Sequence, residues 1–128
     1  MVPTHLADTS ALLELHQTQV ASRLVGLLVG GRVATCGVVD AELLGRVGAE
    51  DRREVLDERR QFPRVPCADA AWDRAIEVQA QLADPLPTPT QLVVAAVAEL
   101  AGLVLLHQDP AFERIAEVTA QPLERAVP

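Results

Sequence analysis

Three acids in this chain, Asp8, Glu42 and Asp109, are spaced so that they could do chemistry together. Asp8 ends the short apolar run Leu6-Ala7 and precedes two hydroxyl residues, Thr9 and Ser10. Asp109 follows the apolar run Leu103 to His107, and Glu42 lies early in a helix after the stretch Arg32 to Cys36. In a parallel sheet the carboxyl ends of the strands share one edge, so the three acids can converge there. Clustered carboxylate oxygens suit the hard cations Mg²⁺ or Mn²⁺. A cation held this way can activate water and offset charge on a phosphodiester. Each acid also has a plainer reading. Asp8 and Asp109 are good helix N-caps, and Glu42 suits an exposed helix face. Spacing alone leaves the two readings level.

The elements that must position these acids can be read from periodicity. His5 to Asp8 is predicted as strand 1. Ser10 to Leu15 opens a helix with Leu12, Leu13 and Leu15 for the core. Gln17 to Val29 repeats Val20, Leu24, Leu27 and Leu28 at helical spacing and stops at Gly30-Gly31. Arg32 to Cys36 reads as strand 2 and Val38 to Val47 as a helix. Ala49 to Phe62 mixes acids with Arg, which favours a solvated helix over an RNA-binding patch. Arg64 to Cys67 fits a short edge strand, because Pro66 excludes a central one.

Asp69 is expected to cap a helix to Ala83, with Trp72 as a core anchor beside Ala75, Ile76, Val78 and Leu82. Thr88-Pro89-Thr90-Gln91 matches a capping box with Pro at the first helical position. The helix it starts, ending at Gly102, is apolar nearly all round and should be central. Leu103 to His107 then reads as a buried parallel strand. Asp109-Pro110 opens a helix through Val118, and Pro122 to Val127 gives a last short strand. Strands alternating with helices predict an α/β fold: a parallel sheet covered on both faces, in a single domain over residues 1–128.

Composition narrows the function further. The chain has 128 residues and a net charge of −7, which excludes nucleic-acid binding through bulk electrostatics. One Trp, two Phe and no Tyr give poor support to base stacking. All 11 basic residues are Arg. With no Lys there is no P-loop and no Schiff-base chemistry. Receiver domains and haloacid-dehalogenase-type phosphatases resemble the opening, but both use a later Lys. Cys36 and Cys67 lack any zinc-ligand spacing and read as small buried hydrophobes. The longest apolar run, Leu92 to Ala98, is too short to span a bilayer, and no signal-peptide pattern opens the chain. A cytoplasmic protein with no membrane association is expected.

Most of the chain resembles the PIN-domain family, in particular the VapC-type toxins of bacterial toxin–antitoxin pairs. Leu6-Ala7-Asp8-Thr9-Ser10-Ala11-Leu12 is similar to the family's opening D-T-S-A motif, and Val39-Asp40-Ala41-Glu42-Leu43 to its internal Glu motif. Trp72-Asp73-Arg74-Ala75 matches its middle helix, and Leu92-Val93-Val94-Ala95-Ala96 its A-A helix. Leu105-Leu106-His107-Gln108-Asp109, with Phe112 to Thr119, resembles its closing segment. The resemblance implies a three-layer α/β/α sandwich with a short, mostly parallel sheet. It implies a Mg²⁺- or Mn²⁺-dependent endoribonuclease leaving a 5′-phosphate and a 3′-hydroxyl, commonly dimeric and inhibited by a cognate antitoxin. Asp8, Glu42 and Asp109 would be its catalytic and metal-binding acids, with Glu42 binding the cation or orienting the attacking water. Thr9 and Ser10 would support them by hydrogen bonds.

Two positions depart from the family pattern. Gln91 stands where the family begins this helix with Asp, and Ala111 replaces the second acid of the closing motif. Gln91 could offer a carbonyl oxygen to the cation, unless its amide serves the capping box instead. Asp84 is a possible substitute from the preceding loop. Glu99, eight residues along the helix and so about 12 Å away, is not. These departures motivate an alternative: a degenerate PIN domain that binds antitoxin or RNA with impaired or no cleavage.

Overall fold

The computed structural model describes residues 2–14 and 18–127. The expectations for Leu15 and Gln17 fall outside these residues, as does the side chain of Val20. The elements in chain order are β1 (His5–Ala7), α1 (Thr9–Leu12), α2 (Thr18–Val29), β2 (Val33–Ala34), α3 (Gly37–Leu44), α4 (Arg52–Arg59), α5 (Asp69–Ala80), α6 (Pro89–Ala101), β3 (Val104–His107), α7 (Pro110–Thr119) and β4 (Leu123–Arg125).

The four strands form one sheet in the order β2-β1-β3-β4, and every pairing is parallel. Ala7 stands opposite Leu106, and His107 opposite Arg125. Asp8 and Asp109 therefore leave the same edge of the sheet from neighbouring strands. Right-handed crossovers send α1 and α2 to one face and α3 to α7 to the other. The result is the expected three-layer α/β/α arrangement. The strands read as continuous apolar runs because both faces are covered: Leu6, Ala7, Leu105 and Leu106 are fully buried.

Helix α6 is the centre of the helical layer. Its seven residues Leu92 to Ala98 are all buried, so it has no solvent face along that stretch. It starts at the predicted capping box and ends at Gly102, whose φ of 69° is the left-handed conformation glycine tolerates best. A two-pronged bond from Arg74 to Glu99 (2.7 and 3.1 Å) ties α5 to α6 and keeps Glu99 away from the site.

Four expectations need correction. Trp72 and Ile76 do not anchor the core; they are 41% and 59% exposed. The buried line of α5 is Ala71, Ala75 and Val78, small residues that let α5 lie close to α6 and leave the bulkier pair just outside the contact. Asp69 is the first residue of its helix, not its cap; Ala68 holds that position without a side-chain bond. Leu13 faces outward. The edge strand at Arg64 to Cys67 shrinks to one parallel bridge between Thr35 and Arg64. Among the described residues no helix is long and apolar enough to cross a membrane.

Candidate active site at the carboxyl edge of the sheet

The site is built where β1 and β3 end. The Asp8 N–H donates to the Leu106 carbonyl (2.9 Å) and extends the ladder by one bond past β1. The chain then turns into α1, with Asp8 as its N-cap. Its Oδ2 accepts from the Ser10 N–H (2.9 Å) and from the Ser10 hydroxyl (2.7 Å). That hydroxyl in turn accepts the Gln108 N–H (2.9 Å). Ser10 therefore fixes the Asp8 carboxylate and links it to the exit of β3. Asp8 is buried, and among the described residues no hydrogen bond reaches its Oδ1.

Glu42 comes to the same place from α3. Its Oε1 accepts from the Thr9 hydroxyl (3.1 Å), the residue next to Asp8. Burial raises its proton affinity above the ordinary glutamate value. The Thr9 hydrogen bond opposes that rise, the charge of Asp8 adds to it, and Arg46 opposes it more weakly. Asp8 and Glu42 are thus close enough for each charge to be felt by the other. Among the described residues, no basic side chain hydrogen-bonds or ion-pairs with either.

Helix α3 is held in place by a buried cluster at its start. Asp40 Oδ1 accepts from Arg59 Nε (2.9 Å) and from the Thr35 hydroxyl (2.7 Å). Arg59 Nη2 also donates to Thr35 (2.8 Å), and its guanidinium lies 4.4 Å from the centre of the Phe62 ring. Arg64 reaches Asp40 Oδ2 at 3.4 Å. Helix α4 is solvated as expected, except at Arg59, which is only 7% exposed.

Asp109 is both a cap and a member of the site. Its Oδ1 accepts from the Ala111 N–H (2.9 Å) at the start of α7. Its Oδ2 accepts from Gln91 Nε2 (3.0 Å). The Asp109 N–H donates to His107 Nδ1 (3.2 Å), so the His107 proton sits on Nε2. Burial lowers the proton affinity of His107, which keeps the ring neutral and its Nδ1 an acceptor.

Gln91 is turned differently from the expected ligand. Its Oε1 accepts the Thr88 N–H (2.9 Å), completing the capping box, so the group that faces Asp109 is the NH₂. Thr88 N–H can only donate and the Asp109 carboxylate can only accept, so flipping the amide would break both bonds. Gln91 therefore has no oxygen directed toward Asp109. Asp84 is exposed, and among the described residues none of the site's hydrogen bonds reaches it. Cys36 and Cys67 are free thiols; Cys36 is buried as expected, whereas Cys67 is only partly buried. Two participants were missed in the sequence: the Gln108 backbone N–H and the Gln91 NH₂. Both lie within motifs that do not signal these contacts, which are made to residues far away in the chain.

Among the described residues no three His, Cys, Asp or Glu side chains form a ready-made metal cage. The donor set still fits a hard cation. Mg²⁺ is commonly bound by one or two carboxylates, with water and substrate phosphate supplying the rest. Asp8 and Glu42 are two such carboxylates, each with one oxygen free of protein hydrogen bonds among the described residues.

A family model described as the PIN domain matches residues 6–118. Ribonuclease VapC21 of Mycobacterium tuberculosis (strain ATCC 25618 / H37Rv) is 37% identical over 134 residues, covering 99% of this chain and 96% of that protein. Ribonuclease VapC2 of M. tuberculosis (strain CDC 1551 / Oshkosh) is 49% identical over 133 residues, covering 94% and 90%. Among solved structures, DNA-bound VapBC from Salmonella typhimurium contains a chain with the same fold. Its TM-score is 0.79 at 18% identity, over 97% of this chain and 98% of that one. VapBC-5 from M. tuberculosis matches with a TM-score of 0.64 at 26% identity, over 96% and 98%.

Proposed function

The chain belongs to the PIN-domain family, and from that premise we propose that it is a divalent-metal-dependent endoribonuclease toxin restrained by a cognate antitoxin. One observation carries the reading: two buried or half-buried carboxylates, Asp8 and Glu42, sit within electrostatic reach of each other, and among the described residues no basic side chain is bonded to either. Such a pair is costly in a metal-free protein and useful in one that binds a cation. The relatives named as VapC ribonucleases support the activity, and the VapBC complexes among the structural neighbours support an antitoxin partner.

Asp8 and Glu42 are the proposed principal ligands of Mg²⁺ or Mn²⁺, with Asp109 approaching from the exit of β3. These residues would hold the cation where it would acidify water and offset charge that develops on the scissile phosphodiester. Ser10 occupies Asp8 Oδ2 and, among the described residues, leaves Oδ1 for binding. Thr9 fixes Glu42 Oε1 and, among the described residues, leaves Oε2 to bind the cation or to orient the attacking water. The partners proposed are RNA, an antitoxin protein and a second copy of the chain, in the cytoplasm. Trp72, Ile76 and Leu100 expose apolar surface on α5 and α6 that suits protein contact.

Mn²⁺ calorimetry on the purified chain, beside cleavage of an RNA panel, tests the reading. Binding and cleavage are both expected, and Asp8→Asn is expected to abolish both. A silent titration together with cleavage no greater than that of Asp8→Asn would leave the non-cleaving binding module in its place.

A further inference from the structure

We infer that Gln91 is a positioning residue, a neutral clasp that holds the Asp109 carboxylate in place without help from a cation. This rests on the site proposed above but makes a separate claim about the metal-free protein.

The clasp uses both ends of one carboxamide. Oε1 takes the Thr88 N–H at 2.9 Å, which anchors the side chain to the first turn of α6. Nε2 then reaches Asp109 Oδ2 at 3.0 Å, across 18 residues of sequence. With Ala111 N–H on Oδ1, both Asp109 oxygens are occupied and the carboxylate is fixed. Helix α6, buried all round from Leu92 to Ala98, keeps the clasp from shifting.

An acid at position 91 would act in the opposite sense. A glutamate could still accept the Thr88 N–H, so the capping box would survive. Its second oxygen, however, would face Asp109 Oδ2 at hydrogen-bond distance, with two negative charges and no proton between them. Only a bound cation, or a proton shared between the two carboxylates, could then hold the pair. With Gln91, the chain gains an Asp109 that is ordered beforehand and gives up one negative charge that would otherwise strengthen cation binding. Cation affinity depends on ligand charge count, so this chain's site should bind Mn²⁺ weakly and rely on substrate phosphate for further ligands.

Gln91→Glu separates the clasp from simple capping because the two roles predict opposite signs. An acid at the third position of a helix favours the N-terminal dipole, so a capping role alone predicts an unchanged or higher melting temperature. The clasp predicts a lower one. The full chain, stripped of metal with EDTA, is melted as wild type, Gln91→Glu, Asp109→Asn and the double variant. Mn²⁺ affinity is measured on wild type and Gln91→Glu by electron paramagnetic resonance. Gln91→Glu is expected to melt lower by about 3 °C or more, to lose that deficit in the Asp109→Asn background, and to bind Mn²⁺ at least about tenfold more tightly. If Gln91→Glu melts at or above wild type without metal, the clasp is wrong. If the deficit appears but Mn²⁺ binds neither protein, the clasp stands and the metal-dependent reading falls.

Discussion

Arg59→Met removes the buried cation that anchors helix α3, the element carrying Glu42. Arg59 is 7% exposed, bonds Asp40 at 2.9 Å and Thr35 at 2.8 Å, and stacks on Phe62. Breaking a buried ion pair from one side costs about 3–5 kcal/mol, because the remaining charge stays buried and unpaired. Loss of the ring contact adds roughly 1 kcal/mol. Two effects reduce the total. Thr35 still donates to Asp40, and Arg64, already at 3.4 Å and mostly exposed, can move closer. The methionine also regains contact with Phe62. The expected loss is therefore about 3 kcal/mol, a large share of a typical domain's total stability. At this chain length it corresponds to about 10–15 °C in melting temperature. Urea melts of wild type, Arg59→Met, Asp40→Leu and the double variant measure it. The double variant should recover most of the loss, since an apolar pair no longer buries a lone charge. A single variant within about 0.5 kcal/mol of wild type would refute the assignment, as would a double variant no more stable than Arg59→Met.

Two further outcomes follow from the site and its supports. Glu42→Gln should stabilise the metal-free protein at neutral pH while abolishing cleavage. Because burial raises the folded-state pKa of Glu42, native Glu42 binds its proton more readily than unfolded Glu42. Its ionisation therefore costs stability as pH rises through the folded value, and thermal melts should show the variant's advantage disappearing below the ordinary glutamate range. Thr88→Ala removes the hydroxyl that accepts the Gln91 N–H at 3.1 Å. It should cost about 1 kcal/mol, read as a drop of about 3–5 °C in melting temperature.

The placement of Asp8 and Asp109 at one edge of the sheet could be read from the sequence because it follows from strand direction alone, whereas the approach of Glu42 to Thr9 depends on how α3 packs. The capping box at Thr88 was equally legible, since all its atoms lie within four residues. Arg59 was not. In a run of mixed charges it looks solvated, and its burial depends on Asp40, 19 residues earlier. Trp72 and Ile76 misled for another reason. Periodicity identifies an apolar stripe but not its width, and the packed line proved to be Ala71, Ala75 and Val78 beside them. Gln91 was half legible: the end that caps α6 is local, and the end that meets Asp109 is not.

Because seven consecutive residues of α6 are buried, the helix cannot rotate to absorb a change in chain length. One residue inserted within it would turn everything before the insertion by about 100° and shift it by about 1.5 Å relative to the rest. Gln91 would swing off Asp109 while the packed face after it stayed in place. Insertions should therefore cost less in the exposed Asp84–Leu86 stretch, where Arg114 donates to the Ala83 and Pro85 carbonyls through exposed hydrogen bonds, than between Pro89 and Ala98. An insertion scan along this segment would map as a step rather than a slope, with the step at the start of the helix.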